Sequence, residues 1–407
     1  MSKLFSISPI FDSIEHIKTQ GIPVLYKEVF MQGDFAQAQA FLIAYSGNEA
    51  TFIAYRREVE RLLHWSWLIA KKSVRDLKRV DIEEYMQFCQ APPSEWIGIK
   101  KAPRYIVHEA KRVPNPEWRP FVATVSKSDF QNGKQPNVKN YLLSQKALRE
   151  IFTVTSSFYS FLIQEEYTEV NPVSHVKQKS RYFTKTQGHS KIRRLSELQW
   201  SYVIETVEMM ANEDPNKHKK TLFIMIALYS MYLRISELAS SERWTPKMCD
   251  FYRDQDGLWW FNVIGKGNKQ RQIAVSDRML KALQDYRKAM GFTPLPSRSD
   301  NSPLIPKTRG KGPITSTNYL RKIVQVCFDK AIERLREDKF HDEADALLEA
   351  TVHWLRHTGI SDDVKIRPRE HVRDDAGHSS SAITDKYIDI EHRARHETAK
   401  EKPIKQD

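Results

Sequence analysis

Cysteine is scarce: Cys89, Cys249 and Cys327 are the only three in 407 residues, and no two of them form a CxxC pair. A disulfide framework and a cysteine-based zinc site are both excluded as expectations, and free thiols fit a reducing compartment. Long apolar runs are also missing. The most apolar stretch, TLFIMIALYSMYL at 221–233, is too short to span a bilayer and runs straight into Arg234. The opening MSKLFSISPIFDSIEH does not resemble a signal peptide, because Ser and Pro interrupt its short apolar part. The expectation is a soluble, cytoplasmic protein without a membrane contact. Acidic residues are outnumbered, 51 against 64 Lys and Arg, for a formal net charge of +13. That surplus favours a polyanionic partner, with nucleic acid the leading candidate. A basic enzyme whose charge only aids solubility remains open on charge alone.

At roughly 100–200 residues per domain, this length suggests two or three domains, and no fixed-period repeat divides it. Residues 1–33 are mixed and read as an N-terminal extension. From 34 to 171 the pattern is helical, with Phe52, Tyr55, Val59, Leu62 and Leu63 at helical spacing, then an amphipathic stretch from Val80 to Phe88. Within it, 91–137 reads as an irregular insertion broken by Pro92, Pro93, Pro103, Pro114, Pro116, Pro120 and Pro136. Helical periodicity returns from Val138 to Glu166, with Leu142, Leu148, Phe152, Phe158 and Leu162 as expected core positions. The stretch 172–195 reads as a basic linker, carrying Lys177, Lys179, Arg181, Lys185, Lys191, Arg193 and Arg194 and no acid. It is either a solvated connector or a strap that neutralises DNA phosphates without reading sequence.

The second domain, 196–407, opens with Ser196 and Gln199 in capping-box arrangement. A helix is expected from Lys219 to Glu242, then strands 258–264 and 271–275 joined by the glycine-bearing turn GKGNKQ as a hairpin. Helices are expected at 276–291, 316–337 and 340–361, and a last one across Ser381 to Ile388. The fold class is thus mainly α with a small β-sheet.

Four segments of this domain carry chemistry. MYLRISELAS holds Arg234 and Glu237 three apart on the expected helix, so the acid can orient the guanidinium, although such a pair alone is more often structural. GKGNKQR puts Lys266 and Lys269 on a tight turn able to reach a groove, or merely exposed to water. VHWLRHT holds His353, Arg356 and His357, with His353 and Arg356 converging from one helical face. AGHSSSAITDKYI holds His378 and Tyr387, nine apart; nothing local marks this tyrosine as reactive. Together they fit attack on a phosphodiester. Two guanidinium groups, Arg234 and Arg356, offset the charge of a five-coordinate phosphorus without a metal. A phenol, with a pKa of about 10, needs help to lose its proton, and His353 is the natural acceptor. Lys266 can protonate the leaving oxygen, and His378 can donate to a non-bridging one.

The order Arg, Lys, His-x-x-Arg, His, Tyr resembles the tyrosine recombinase, or phage integrase, family. LRISEL is similar to its first Arg box at Arg234, GKGNKQR to its hairpin motif at Lys266, HWLRHT to its His-x-x-Arg box at His353 and Arg356, and GHSSSAITDKY to its nucleophile box at His378 and Tyr387. This catalytic resemblance covers 196–390. The helical region 34–170, especially FTVTSSFYSFLIQEEYTEVNPV, resembles, less specifically, the family's helical, SAM-like core-binding domain. The resemblance implies a clamp around double-stranded DNA and a homotetramer on two sites. It also implies a 3′-phosphotyrosyl link to Tyr387 that keeps bond energy, so that no cofactor and no metal are needed, in integration, excision or transposition of a mobile element. Departures are Met231-Tyr232 where the family usually has small residues such as Thr-Gly, the long insertion, and the polar stretch between Arg356 and His378. The alternatives are a type IB topoisomerase-like nicking and closing activity, a non-catalytic DNA-binding protein of the same fold, and a basic helical RNA-binding protein.

Overall fold

The computed structural model describes residues 7–26, 28–178, 193–265, 267–378, 380–385, 387 and 400. They form two compact units, Met1–Gln187 and Gly188–Asp407. No described helix is long and apolar enough to cross a membrane.

The first unit is helical. Helices α1 (Val29–Ala44), α2 (Glu49–Trp65), α3 (Arg79–Gln90) and α5 (Gln145–Gln164) enclose its core, with short α4 (Lys127–Gln131) and α6 (Pro172–Gln178) beside them. Asn48 caps α2 and Ser144 caps α5, each accepting a backbone N–H of its first turn. The expected core positions Phe52, Val59, Leu62, Leu63, Leu148, Phe152, Phe158 and Leu162 are buried. Leu142 is not: it is 88% exposed, because the chain from 138 to 144 forms a 3-10 turn and a loop, and α5 starts only at Gln145. The expected linker is helical at its start, since Pro172 opens α6 and Val173 and Val176 are buried against the same core.

The extension and the insertion are tied to each other through α2. The insertion contributes strands β1 (Ile97–Gly98) and β4 (Phe121–Val122), paired in parallel, and a hairpin of β2 (Tyr105–His108) with β3 (Lys111–Pro114). Buried Glu60 on α2 accepts from the backbone N–H groups of Ile10 and Phe11 and pairs with Arg104 of the insertion. Asp12 pairs with Arg112, 2.5 Å away. His64, one turn further along α2, sits with Nε2 at 2.9 Å from both Ser8 O and Tyr26 Oη, and Ile10, Phe11, Ile17 and Tyr26 enter the core.

The second unit has helices α7 (Glu197–Glu213), α8 (Pro215–Ser230) and a single turn α9 (Ile235–Leu238). A three-stranded antiparallel sheet of β5 (Phe251–Arg253), β6 (Trp259–Ile264) and β7 (Gln270–Ala274) follows. Then come α10 (Asp277–Ala289), α11 (Thr317–Glu337), α12 (His341–Leu348), α13 (Val352–Asp363), α14 (Arg369–Ala376) and α15 (Ser381–Asp385). Ser196 and Gln199 form the expected capping box of α7.

Three expected helices are interrupted. The stretch 219–242 breaks after Ser230: Tyr232 takes a left-handed conformation with φ 50°, turns the chain, and leaves Arg234 as the N-cap of α9. That conformation costs a non-glycine residue roughly 1–2 kcal/mol, so its surroundings must hold it there. The stretch 340–361 divides into α12 and α13 where Thr351 caps a new helix in extended backbone. The last helix ends at Asp385, and Tyr387 lies in a turn beyond it. Helix α13 packs against α8 through Gly359, where an added Cβ would lie 2.0 Å from Tyr229 O.

Burial pushes His64 from its ordinary 6.5 down to about 4. The unfolded chain therefore takes up this proton at higher pH than the folded one, and stability present above pH 6.5 is lost as pH falls through about 4. The full effect is on the order of 3 kcal/mol. His64→Phe should flatten the fall of melting temperature between these limits; an unchanged slope would refute the assignment.

Candidate active site

The site is built where the turn after α8, the β6–β7 hairpin and α13–α15 come together. Arg234 and Glu237 meet as expected, but not as two residues on the face of a long helix. Glu237 lies at the N3 position of α9, and its Oε2 accepts the backbone N–H of Arg234 at 2.9 Å. Its Oε1 is 3.0 Å from Arg234 Nη1. A second guanidinium, Arg271 of β7, takes the same carboxylate with both Nη atoms, at 2.9 and 2.8 Å. Burial alone would raise the Glu237 carboxyl, but Arg271 and then Arg234 hold it below the usual range. Gly265 at the mouth of the hairpin has no room for a side chain, since a Cβ would sit 2.9 Å from both Arg271 Nη1 and Glu237 Oε1.

Arg356 is 2% exposed on α13. Its guanidinium donates to two main-chain carbonyls, Tyr232 O and, at 2.5 Å, Ala376 O. No carboxylate of the described residues pairs with it. Burial, then the neighbouring charge of Arg234, lowers it to about 10, so it is still a cation at neutral pH. Two guanidinium groups thus share one acid while the third has none among the described residues, and these four groups together carry an excess of positive charge.

Tyr387 comes to this place, 6% exposed, in a small apolar cluster with Tyr232, Ile360, Val372 and Ala376. Burial raises its phenol to about 12, while Arg356 and Arg234 pull the other way. The imidazole against the phenol is His357, not His353: Tyr387 Oη and His357 Nδ1 are hydrogen-bonded at 2.5 Å. Burial and then the charge of neighbouring groups lower His357 to about 3, so it is a neutral imidazole. His353 is exposed one turn earlier, ring edge against His357 with centroids 4.3 Å apart. Loss of solvation, then Arg356 and Arg234, hold it below its ordinary value. His378 stacks on the Tyr387 ring at 5.9 Å and bonds Thr384 Oγ1 through Nδ1 at 2.9 Å. Burial and then Arg356 lower it to about 4.

Five of the six expected catalytic residues, Arg234, His353, Arg356, His378 and Tyr387, therefore belong to one locality. Lys266 lies outside the described residues. Of the expected phosphate contacts, the side chain of Lys177 and all of Lys179, Arg181, Lys185 and Lys191 are outside them too. Arg193 and Lys269 are exposed, and Arg194 lies 3.7 Å from Asp362 Oδ1. Sequence reasoning missed Arg271 and the role of His357. Arg271 had a signal: it lies two residues before buried Ile273, so a charge falls on the inward face of a strand.

No family model matches the chain. Tyrosine recombinase XerD of Rickettsia prowazekii (strain Madrid E) is 30% identical over 186 residues, 44% of this chain and 55% of that protein. The XerD of Rickettsia bellii (strain RML369-C) is 27% identical over 163 residues, 40% of this chain and 49% of that one. The chain thus spans about half the length of the curated relatives it matches. Among solved structures, the XerH site-specific recombinase in its post-cleavage complex with palindromic difH substrate superposes with a TM-score of 0.55. It is 12% identical, over 95% of this chain and 93% of that one. Over part of its length the chain is thus similar in sequence to tyrosine recombinases, and it shares the fold of the XerH recombinase. A lambda integrase dimer bound to a COC′ core site shares the recombinase fold, with a TM-score of 0.50 and 13% identity over 88% of this chain and 96% of that one.

Glu237 is the anion that keeps two guanidinium groups side by side in this recombinase fold. Glu237→Gln should lower stability by about 3 kcal/mol, as loss of one member of a buried pair does. A urea midpoint equal to that of the wild type would contradict the bridging role.

Proposed function

We propose that the protein is a site-specific DNA recombinase that cuts and rejoins strands through a 3′-phosphotyrosyl intermediate at Tyr387. One observation carries the reading. A buried phenol lies beside Arg356, a buried cation without an acid, and the phenol's own hydrogen bond already leads to a neutral imidazole. A phosphodiester supplies the missing anion.

In the proposed reaction Tyr387 Oη attacks the scissile phosphorus as its proton passes to His357 Nδ1. The P–O5′ bond breaks, and Lys266 protonates the leaving 5′ oxygen. Arg356 and Arg234 meet the charge that grows on the non-bridging oxygens, and preorganised donors of this kind need no reorientation during the step. His378 and His353 donate to the same oxygens. The 5′ hydroxyl of a partner strand then attacks the phosphotyrosyl bond and restores the phenol, so the bond energy is conserved. Arg193 and Lys269, with the basic stretch 172–195, contribute phosphate contacts that add affinity without sequence information. Double-stranded DNA is the partner, a homotetramer on two sites the assembly, the cytoplasm the setting, and movement of a mobile element the use.

The test is covalent capture. Full-length protein is mixed with a pool of random-sequence duplexes, each nicked so that the cleaved end diffuses away, and adducts surviving detergent are mapped by peptide mass. An adduct at Tyr387 is expected, absent in Tyr387→Phe, with the rate in Arg356→Ala down by roughly 100-fold or more. An adduct at another residue, or one persisting in Tyr387→Phe, overturns the reading.

A further inference from the structure

We propose that Tyr232 is a positioning residue for Arg356, acting through a polar brace formed by Asp363, Arg367 and Asp375; this rests on the recombinase reading above. Arg356, Gly359 and Asp363 are spaced i, i+3 and i+7 on α13 and so line one face of it. Tyr232 lies along that face and meets all three. Its carbonyl accepts from Arg356 Nη1. Its ring lies over Gly359, where an added Cβ would be 3.2 Å from the ring edge. Its hydroxyl donates to Asp363 Oδ2 and accepts from Arg367 Nη1 at 2.9 Å.

The brace continues past Tyr232. Arg367 Nη2 bonds Asp375 Oδ2 at 2.7 Å, and Asp375 Oδ1 accepts the backbone N–H of Ala274 at 3.3 Å. The carbonyl of Asp375 accepts from Arg271 Nε at 2.9 Å, and Arg271 in turn holds Glu237. Ala376, the next residue, supplies the second carbonyl to Arg356. One chain of contacts therefore sets where Arg356 and Arg271 sit, and its anchor is a phenol. The left-handed backbone of Tyr232 explains why an anchor is needed. The carbonyl that aims Arg356 belongs to a residue in a conformation its own side chain disfavours, and the hydroxyl clasped by Asp363 and Arg367 keeps it there. The same ring packs in the cluster that holds Tyr387.

Tyr232→Phe keeps the ring and the carbonyl and removes only the hydroxyl. In single-turnover reactions on a duplex recovered by covalent capture, its adduct should form roughly 10-fold more slowly, with DNA affinity unchanged. Tyr232→Gly relaxes the backbone, keeps the carbonyl and loses the brace; it should be at least as slow as Tyr232→Phe. Asp363→Asn, which still accepts from the phenol, should recover most of the wild-type rate where Asp363→Ala does not. A Tyr232→Phe rate equal to the wild type, or a loss confined to DNA affinity, overturns the brace and leaves the recombinase reading standing. A wild-type chain that forms no adduct overturns both.

Discussion

A buried guanidinium with no carboxylate partner among the described residues is the constraint around which the second unit's site is arranged. Among the described residues, Arg356 has only main-chain carbonyls for hydrogen-bond partners. Carbonyls satisfy its N–H groups but not its charge, so burying that charge carries a cost that an anion placed beside it would offset. The carbonyls also come from two separate elements, the turn after α8 and the end of α14, so the guanidinium is aimed before any ligand binds. Aim of this sort is what electrostatic catalysis requires, because donors already in place cost nothing to reorganise.

The other cations are treated differently. Arg234 and Arg271 share Glu237, which keeps two like charges adjacent while leaving their sum positive. Tyr387 is held in the same region as a neutral phenol by burial, with its hydrogen bond directed at a neutral His357. Phenol and imidazole are thus paired in their uncharged forms, and the guanidinium charges of Arg356 and Arg234 act on the phenol in the direction that favours the phenolate. The first unit uses the same economy for a different end. Glu60 and Asp12 spend their charge on Arg104, Arg112 and the backbone of residues 10 and 11, which secures the extension and the insertion to α2.

Much of this was legible in the residues, because spacing and chemistry are local properties. The helices of the first unit followed from apolar periodicity, and the β6–β7 hairpin from its glycine turn. Arg234, His353, Arg356, His378 and Tyr387 were found by order and type, and the structure brings them to one place. What could not be read was set by tertiary contact. The break after Ser230 runs against an apolar, helix-forming stretch, and the Tyr232 hydroxyl there bonds partners more than a hundred residues away, Asp363 at the end of α13 and Arg367 beyond it. His353 and His357 are one turn apart on the same helix, and only the direction from which Tyr387 arrives decides which of them it meets. Leu142 had the right character for a core but stands before the start of its helix.

The central claim is that the guanidinium cluster acts on the charge of a phosphodiester, and replacing that charge tests it most directly. The full-length protein and an Arg356→Met variant would be compared on one captured duplex, made either with an ordinary scissile phosphate or with an uncharged methylphosphonate in its place. The account predicts that the variant cleaves the phosphodiester far more slowly than the wild type but cleaves the methylphosphonate at close to the wild-type rate. Equal loss on both duplexes would contradict it, since Arg356 would then be serving the fold and not the phosphorus.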